Sequence, residues 1–247
     1  MNPASLKEAE KLFTEIAKNL KVKKTEVVIC PPFIYLESLF HLLKAKSYKL
    51  KAILGGQNSF LGETGAFTGE ISTGMLYNIG ARYVILGHSE RRAMGESNNN
   101  INKKIKAALS AGLVPIVCVG EQERDQAHNY FNIVKMQVEE CLNGVNKTLF
   151  SKIIIAYEPV WALSSTPNRR DAKPLDSNEM AIFIRKILSD LSSPQIVALM
   201  RVIYGGSVTD KDARDFLEHG GVDGVLPGRA SLNAKKFVEI INIAESL

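Results

Sequence analysis

Seven short stretches of nearly unbroken apolar residues recur along the chain: Val27 to Cys30, Ala52 to Gly55, Tyr83 to Gly87, Val114 to Gly120, Ile153 to Glu158, Val202 to Gly205 and Gly224 to Leu226. A strand with one wet face alternates apolar and polar residues, so continuous runs of this kind predict strands buried on both faces. Between them the apolar positions fall three or four apart, as in Leu6, Ala9, Leu12, Phe13, Ile16 and Leu20, and again in Phe131, Val134, Val138, Cys141 and Leu142. That spacing predicts amphipathic helices. Ser5 followed by Glu8 is a capping-box signature for the first of them. Strand alternating with helix, without linker or low-complexity tract, predicts a single α/β domain over residues 1–247, on a parallel sheet that is open or closed. The seven strands are one short of a closed eight-stranded barrel, and the chain opens on a helix that a strand would normally precede.

Composition narrows the class. With 247 residues, 45% hydrophobic and 23% charged, the chain can bury a sizeable core and is not disordered. No apolar run approaches the roughly 20 residues of a membrane helix, and Met1 to Ser5 leads into a charged helix instead of a signal peptide's apolar core, so a cytoplasmic location is expected. Cys30, Cys118 and Cys141 show neither metal-ligand spacing nor a disulfide framework, which agrees with a reducing compartment. The net charge of +5 comes from lysines spread along helices, with no dense basic tract and no interleaved aromatics, so no nucleic-acid partner is expected. A mild positive balance suits a small anionic substrate, and equally a merely solvated surface.

Polar punctuation gathers where the strands end: Gly87-His88-Ser89-Glu90-Arg91-Arg92, Glu158-Pro159-Val160-Trp161, Tyr204-Gly205-Gly206-Ser207 and Pro227-Gly228-Arg229-Ala230-Ser231. In parallel α/β folds, loops at the C-terminal ends of the strands converge on the active site. His88, between a strand-ending glycine and a helix start, reads either as a capping residue or as a neutral ring held uncharged by the helix dipole, able to donate to a polarised carbonyl. Glu158 reads either as a buried salt-bridge partner or as a base whose pKa is lifted toward neutrality by a dry environment. The glycine loops at 205–207 and 228–229 offer backbone N–H groups and a hydroxyl to a phosphate.

Taken together, "GGQNSF", "ETGAFTGEIS", "ILGHSERR", "GLVPIVCVGE", "AYEPVWA", "YGGSV" and "PGRASL" span nearly the whole chain in one order. In these motifs the chain resembles the triosephosphate isomerases. The resemblance implies a TIM (β/α)8 barrel, here with the first β-strand missing and seven recognisable strands. It implies Glu158 as a base that shuttles a proton between adjacent carbons of a triose phosphate, and His88 as the electrophile. It also implies Ser164, Ser207, Gly228 and Arg229 as phosphate contacts, and a lid after Trp161. No metal or organic cofactor is implied, and a homodimer is, through the loop Gly62 to Glu70 with Thr68 near its tip.

Where the family's first strand ends in Asn-x-Lys-Met-Asn, this chain begins Met1-Asn2. Glu90, which pairs with that lysine in the family, is then expected to lack its partner. Losing a charge aimed at a developing oxyanion costs about 3 kcal/mol or more, so weak turnover is expected. The alternative is an inactive relative that retains phosphate binding or only the fold. The lid reads Leu163-Ser164-Ser165-Thr166-Pro167 where the family has Gly-x-Gly-Lys, with a longer connection to a helix expected near Ser177. Arg229 replaces a glycine and is expected to face solvent, and Arg169 with Arg170 reads as a surface pair able in principle to supply the lost charge.

Overall fold

Ser5 caps the first helix, α1 (Leu6–Asn19): its Oγ accepts from the Glu8 amide at 3.2 Å, while the Glu8 carboxylate reaches back to the Ala4 amide at 3.0 Å. The computed structural model describes residues 2–44, 52–62 and 65–247. Six strands follow in chain order and form one parallel sheet: β1 (Val27–Ile29), β2 (Ala52–Gly56), β3 (Tyr83–Leu86), β4 (Val114–Val119), β5 (Ile154–Tyr157) and β6 (Arg201–Tyr204). The crossovers carry α2 (Leu36–Lys44), α3 (Thr73–Asn78), α4 (Ser89–Ala93), α5 (Asn98–Ser110), α6 (Asn129–Leu142), α7 (Pro174–Leu191) and α8 (Pro194–Val197). After β6 come α9 (Ala213–His219) and α10 (Ala234–Ser246).

Two expectations need correction. The seventh apolar stretch, Gly224 to Leu226, is no strand but a single parallel bridge from Val225 to Tyr204. The run is short, and Pro227, which has no N–H, ends it at once. The helix expected near Ser177 begins at Pro174, where a fixed φ suits the first helical position and Asp176 accepts from the Lys173 amide at 2.7 Å.

Successive strand residues divide between two cores, as a period of two requires. Val84, Leu86, Val117, Val119, Ile155, Tyr157, Val202 and Tyr204 join the larger one, which also holds the helices' apolar faces. Tyr83, Ile85, Ile116, Cys118, Ile154 and Ala156 form the smaller, together with Val28, Ile53, Ile203 and Leu226. Because that inner set draws on all six strands, the sheet curls around it. At its lower end Arg201 reaches Glu26 at 2.6 Å and the Tyr83 hydroxyl donates to the same carboxylate at 2.6 Å, which ties the first, third and last strands together.

Among the described residues nothing pairs with the outer edge of β1; Asn2 to Ser5 forms no strand, and Met1 lies outside them. That side is closed on the outside by α1 packed on α10, whose Glu245 carboxylate accepts from the amides of Lys23, Lys24 and Thr25 at 2.7, 3.1 and 2.8 Å. Those donors draw the Glu245 carboxyl down to about 2. No helix among the described residues is long and apolar enough to cross a membrane.

Candidate active site

Glu158 leaves β5 as a buried residue, 2% exposed, between Gly120 beyond β4 and Gly205 beyond β6. A Cβ on Gly120 would lie 1.9 Å from the Glu158 carbonyl oxygen, and one on Gly205 would lie 2.7 Å from its Cγ. Both walls must therefore be glycine for the carboxylate to occupy this slot. One oxygen is tied down, since Oε2 accepts from the Ser89 amide at 3.0 Å. The other, Oε1, has no hydrogen bond and faces His88 Nε2 at 3.3 Å. Burial pushes the Glu158 carboxyl above its ordinary value, opposed by the His88 ring, the Ser89 amide, Cys118 and Arg92.

His88 is the N-cap of α4: its Nδ1 accepts from the Glu90 amide at 3.3 Å. The capping role and the facing of Glu158 are thus both realised, one on each ring nitrogen. With Nδ1 an acceptor, the ring hydrogen is assigned to Nε2, which lies 3.3 Å from Oε1 without donating a hydrogen bond to it. Glu90 turns its own carboxylate outward, 70% exposed, with Oε2 3.9 Å from Nδ1. Arg92 fixes the loop by donating to the carbonyls of Gly87 at 2.8 Å and Cys118 at 2.9 Å, pinning the end of β3 to β4.

Beyond Pro159 a single 3-10 turn, Val160–Ala162, carries Trp161. Its Nε1 donates at 2.7 Å to Glu121, a fully buried carboxylate that also accepts from the Tyr157 hydroxyl at 2.8 Å and from Arg124 at 3.3 Å. The start of the lid segment is therefore anchored on charge-assisted hydrogen bonds. Farther along, Arg169 Nη1 donates to Ser207 Oγ at 2.9 Å, and Arg229 Nη2 donates to the Ser164 carbonyl at 3.1 Å. Arg229 is thus engaged with the lid and not turned wholly to solvent. The two lid arginines also part company: the Arg170 guanidinium lies 4.7 Å from the centre of the Trp161 ring.

Comparison with known proteins decides the family. The model of the family described as triosephosphate isomerase matches residues 1–244. The chain belongs to the triosephosphate isomerase family. Its curated relatives include the triosephosphate isomerase of Dictyoglomus thermophilum, 44% identical over 94% of this chain and 90% of that protein. That of Caldanaerobacter subterraneus subsp. tengcongensis is 42% identical over 95% and 93%, and that of Shewanella sp. (strain MR-4) 42% over 96% and 92%.

Within this chain, the residues expected at the site fall into two groups. His88, Glu90 and Glu158 meet around one imidazole. Ser164, Ser207 and Arg229 meet through the arginine contacts, and the groups join at Gly205, which touches Glu158 and stands two residues before Ser207. Gly228 faces open space, with nothing within 4 Å of a Cβ built there. The loop Gly62 to Glu70, expected to mediate a dimer, includes Glu63 and Thr64, which lie outside the described residues; Phe67 on it is 46% exposed. Sequence reasoning quoted Arg92, Gly120 and Glu121 within its motifs but gave none of them a role at the site.

Proposed function

We propose that Glu158 and His88 carry out the interconversion of dihydroxyacetone phosphate and glyceraldehyde 3-phosphate, the activity of the family. One observation supports this above all: a buried carboxylate has one oxygen held by an amide and the other free of hydrogen bonds, 3.3 Å from an imidazole Nε2. A buried acceptor left unsatisfied is costly in a merely structural role, and is what a base awaiting a proton requires. On binding, the substrate carbonyl oxygen accepts the Nε2–H. The free Oε1 removes a proton from C1 as electrons move onto the C2 oxygen, giving an enediolate. The proton is returned at C2 while the O1 hydrogen passes to O2 across the imidazole, and the aldehyde forms. Ser207, Gly228, Arg229 and the backbone at Ser164 hold the phosphate, and the Glu90 amide, donating to Nδ1, orients the imidazole. No step calls for a metal or an organic cofactor.

Replacing the base while keeping its shape tests the assignment. Glu158→Gln is expected to lower kcat by about a hundredfold to ten-thousandfold, the usual worth of a positioned proton acceptor. An unchanged kcat removes Glu158 from the mechanism. A homodimer through the Gly62 to Glu70 loop and a cytoplasmic location complete the reading; the exposed Phe67 supports the former.

A further inference from the structure

We propose that Arg124 braces the two ends of the lid against each other and is a positioning residue for the reaction at Glu158. The reaction it serves is the isomerisation proposed above; the brace itself rests on geometry alone. The lid runs from Pro159, directly after Glu158, to Lys173, directly ahead of α7. Its first end is held by Glu121, whose carbonyl accepts from the Val160 amide at 2.9 Å and whose carboxylate accepts from Trp161 Nε1 at 2.7 Å. Its second end is held by Asp176, whose Oδ2 accepts from the Lys173 amide at 2.7 Å. One guanidinium joins the two holders. Arg124 Nε donates to Glu121 Oε1 at 3.3 Å, Nη1 to Asp176 Oδ1 at 3.1 Å, and Nη2 to the Asp176 carbonyl at 3.0 Å.

The remaining hydrogens of the fork go to Glu179 at 2.8 Å and to the Tyr157 hydroxyl at 3.3 Å, so every N–H is engaged and the planar group is fixed. Glu121 is fully buried and the Arg124 side chain is 12% exposed, so salt and water screen their attraction little. The guanidinium also lies 5.4 Å from the centre of the Trp161 ring and 5.0 Å from that of Tyr130. On the lid itself, Arg170 approaches the same indole at 4.7 Å. Arginine suits the task because its fork meets carboxylates on two elements at once, which the point charge of a lysine ammonium does not. Binding energy from a remote phosphate drives lid closure only if both ends of the lid move in step, and a loosened end lets it miss its place over Glu158. A chain of contacts transmits position only if a disturbance at one end is felt at the other. Trp161 is the chain's only tryptophan, so its fluorescence reports one end while the other is altered.

The experiment compares the full chain with Arg124→Lys, Asp176→Asn and the double variant. Lysine keeps a cation beside Glu121, so the buried carboxylate is not stranded, and circular dichroism checks that each variant is folded. The readouts are acrylamide quenching of Trp161, and kcat/KM with glyceraldehyde 3-phosphate and with unphosphorylated glyceraldehyde. Asp176→Asn is expected to raise the quenching constant about twofold, although it alters the opposite end of the lid. Each single variant is expected to lower kcat/KM for glyceraldehyde 3-phosphate by about tenfold and to leave that for glyceraldehyde within about twofold, because the lid has no phosphate to close on there. General damage to the fold would lower both. The double variant is expected to be no slower than the slower single one, since both changes cut the same chain. The brace is overturned by a glyceraldehyde 3-phosphate kcat/KM within about twofold of the parent in both single variants, by equal losses on the two substrates, or by losses that multiply in the double variant. Absence of turnover in the parent chain sinks the isomerase reading; quenching then decides the brace alone, and an unchanged constant in Asp176→Asn overturns it.

Discussion

Gly205→Ala adds one methyl group to a residue that takes no part in proton transfer, and so tests whether the position of Glu158 matters apart from its chemistry. The new Cβ would stand 2.7 Å from Glu158 Cγ, 3.3 Å from the Tyr157 carbonyl oxygen and 3.6 Å from Oε1. Carbon atoms pack comfortably near 3.5 Å, so Cγ must retreat by roughly 0.8 Å, carrying the carboxylate with it. A displacement of about 1 Å at a reacting group costs on the order of a hundredfold in rate, so kcat is expected to fall by roughly ten- to a hundredfold. That is about 1.4 to 2.7 kcal/mol of transition-state stabilisation. Overpacking should also cost about 1 to 3 kcal/mol of stability, offset by about 0.4 to 1 kcal/mol from the less flexible unfolded chain. The assay is a coupled measurement of kcat with glyceraldehyde 3-phosphate, with a urea titration on the same sample. Gly74→Ala in α3 is the control: its Cβ would meet only the Ser72 hydroxyl, at 3.8 Å, so it should leave kcat unchanged. A Gly205→Ala protein that unfolds near the parent midpoint and retains kcat within threefold would refute the claim that this glycine sets the base.

Two further outcomes are expected. The Glu158 carboxyl is lifted above 4.5 by burial, so kcat/KM should fall on acidification with a limb lying above that value. Unphosphorylated glyceraldehyde is the right substrate for this profile, because it removes the phosphate ionisation near 6, and activity that stays flat down to pH 4.5 contradicts the shift. The sign for folding follows: a raised carboxyl binds its proton more tightly in the folded state, so its contribution to stability declines as pH rises from 4.5 through the raised value.

What the sequence disclosed and what it withheld divide along the range of the interactions. The strands were legible because burial on both faces leaves no polar position in the run, as in Ile154 to Tyr157, and this needs no knowledge of the neighbours. His88 and Glu158 were legible as residues placed where strands end. Their approach to 3.3 Å, however, depends on the glycine at 120 and the glycine at 205, which lie 38 and 47 positions from Glu158 in the chain. Glu121 stood in the sequence only as the last residue of the quoted GLVPIVCVGE, and its full burial was not legible there because Tyr157, Trp161 and Arg124 converge on it in the fold. Arg169 and Arg229 looked like solvated surface residues, since their partners, Ser207 and Ser164, lie 38 and 65 residues away. The Gly224 to Leu226 run was read too generously, because hydrophobicity registers burial and says little about how long a ladder proline will allow.

The join between the two flanks of the curled sheet is made by different forces from the rest of it. Elsewhere neighbouring strands share parallel ladders, whereas here a half-exposed ion pair between Glu26 and Arg201, a helix-to-helix contact and three amides on Glu245 hold the sides. Half-exposed pairs contribute little, about 1 kcal/mol or less. The molecule accordingly has a seam, and thermal fluctuations that part it need not melt the ladders on either side. Water and proteases would enter first along that line, which runs beside β6, the strand next to the one that leads into Glu158.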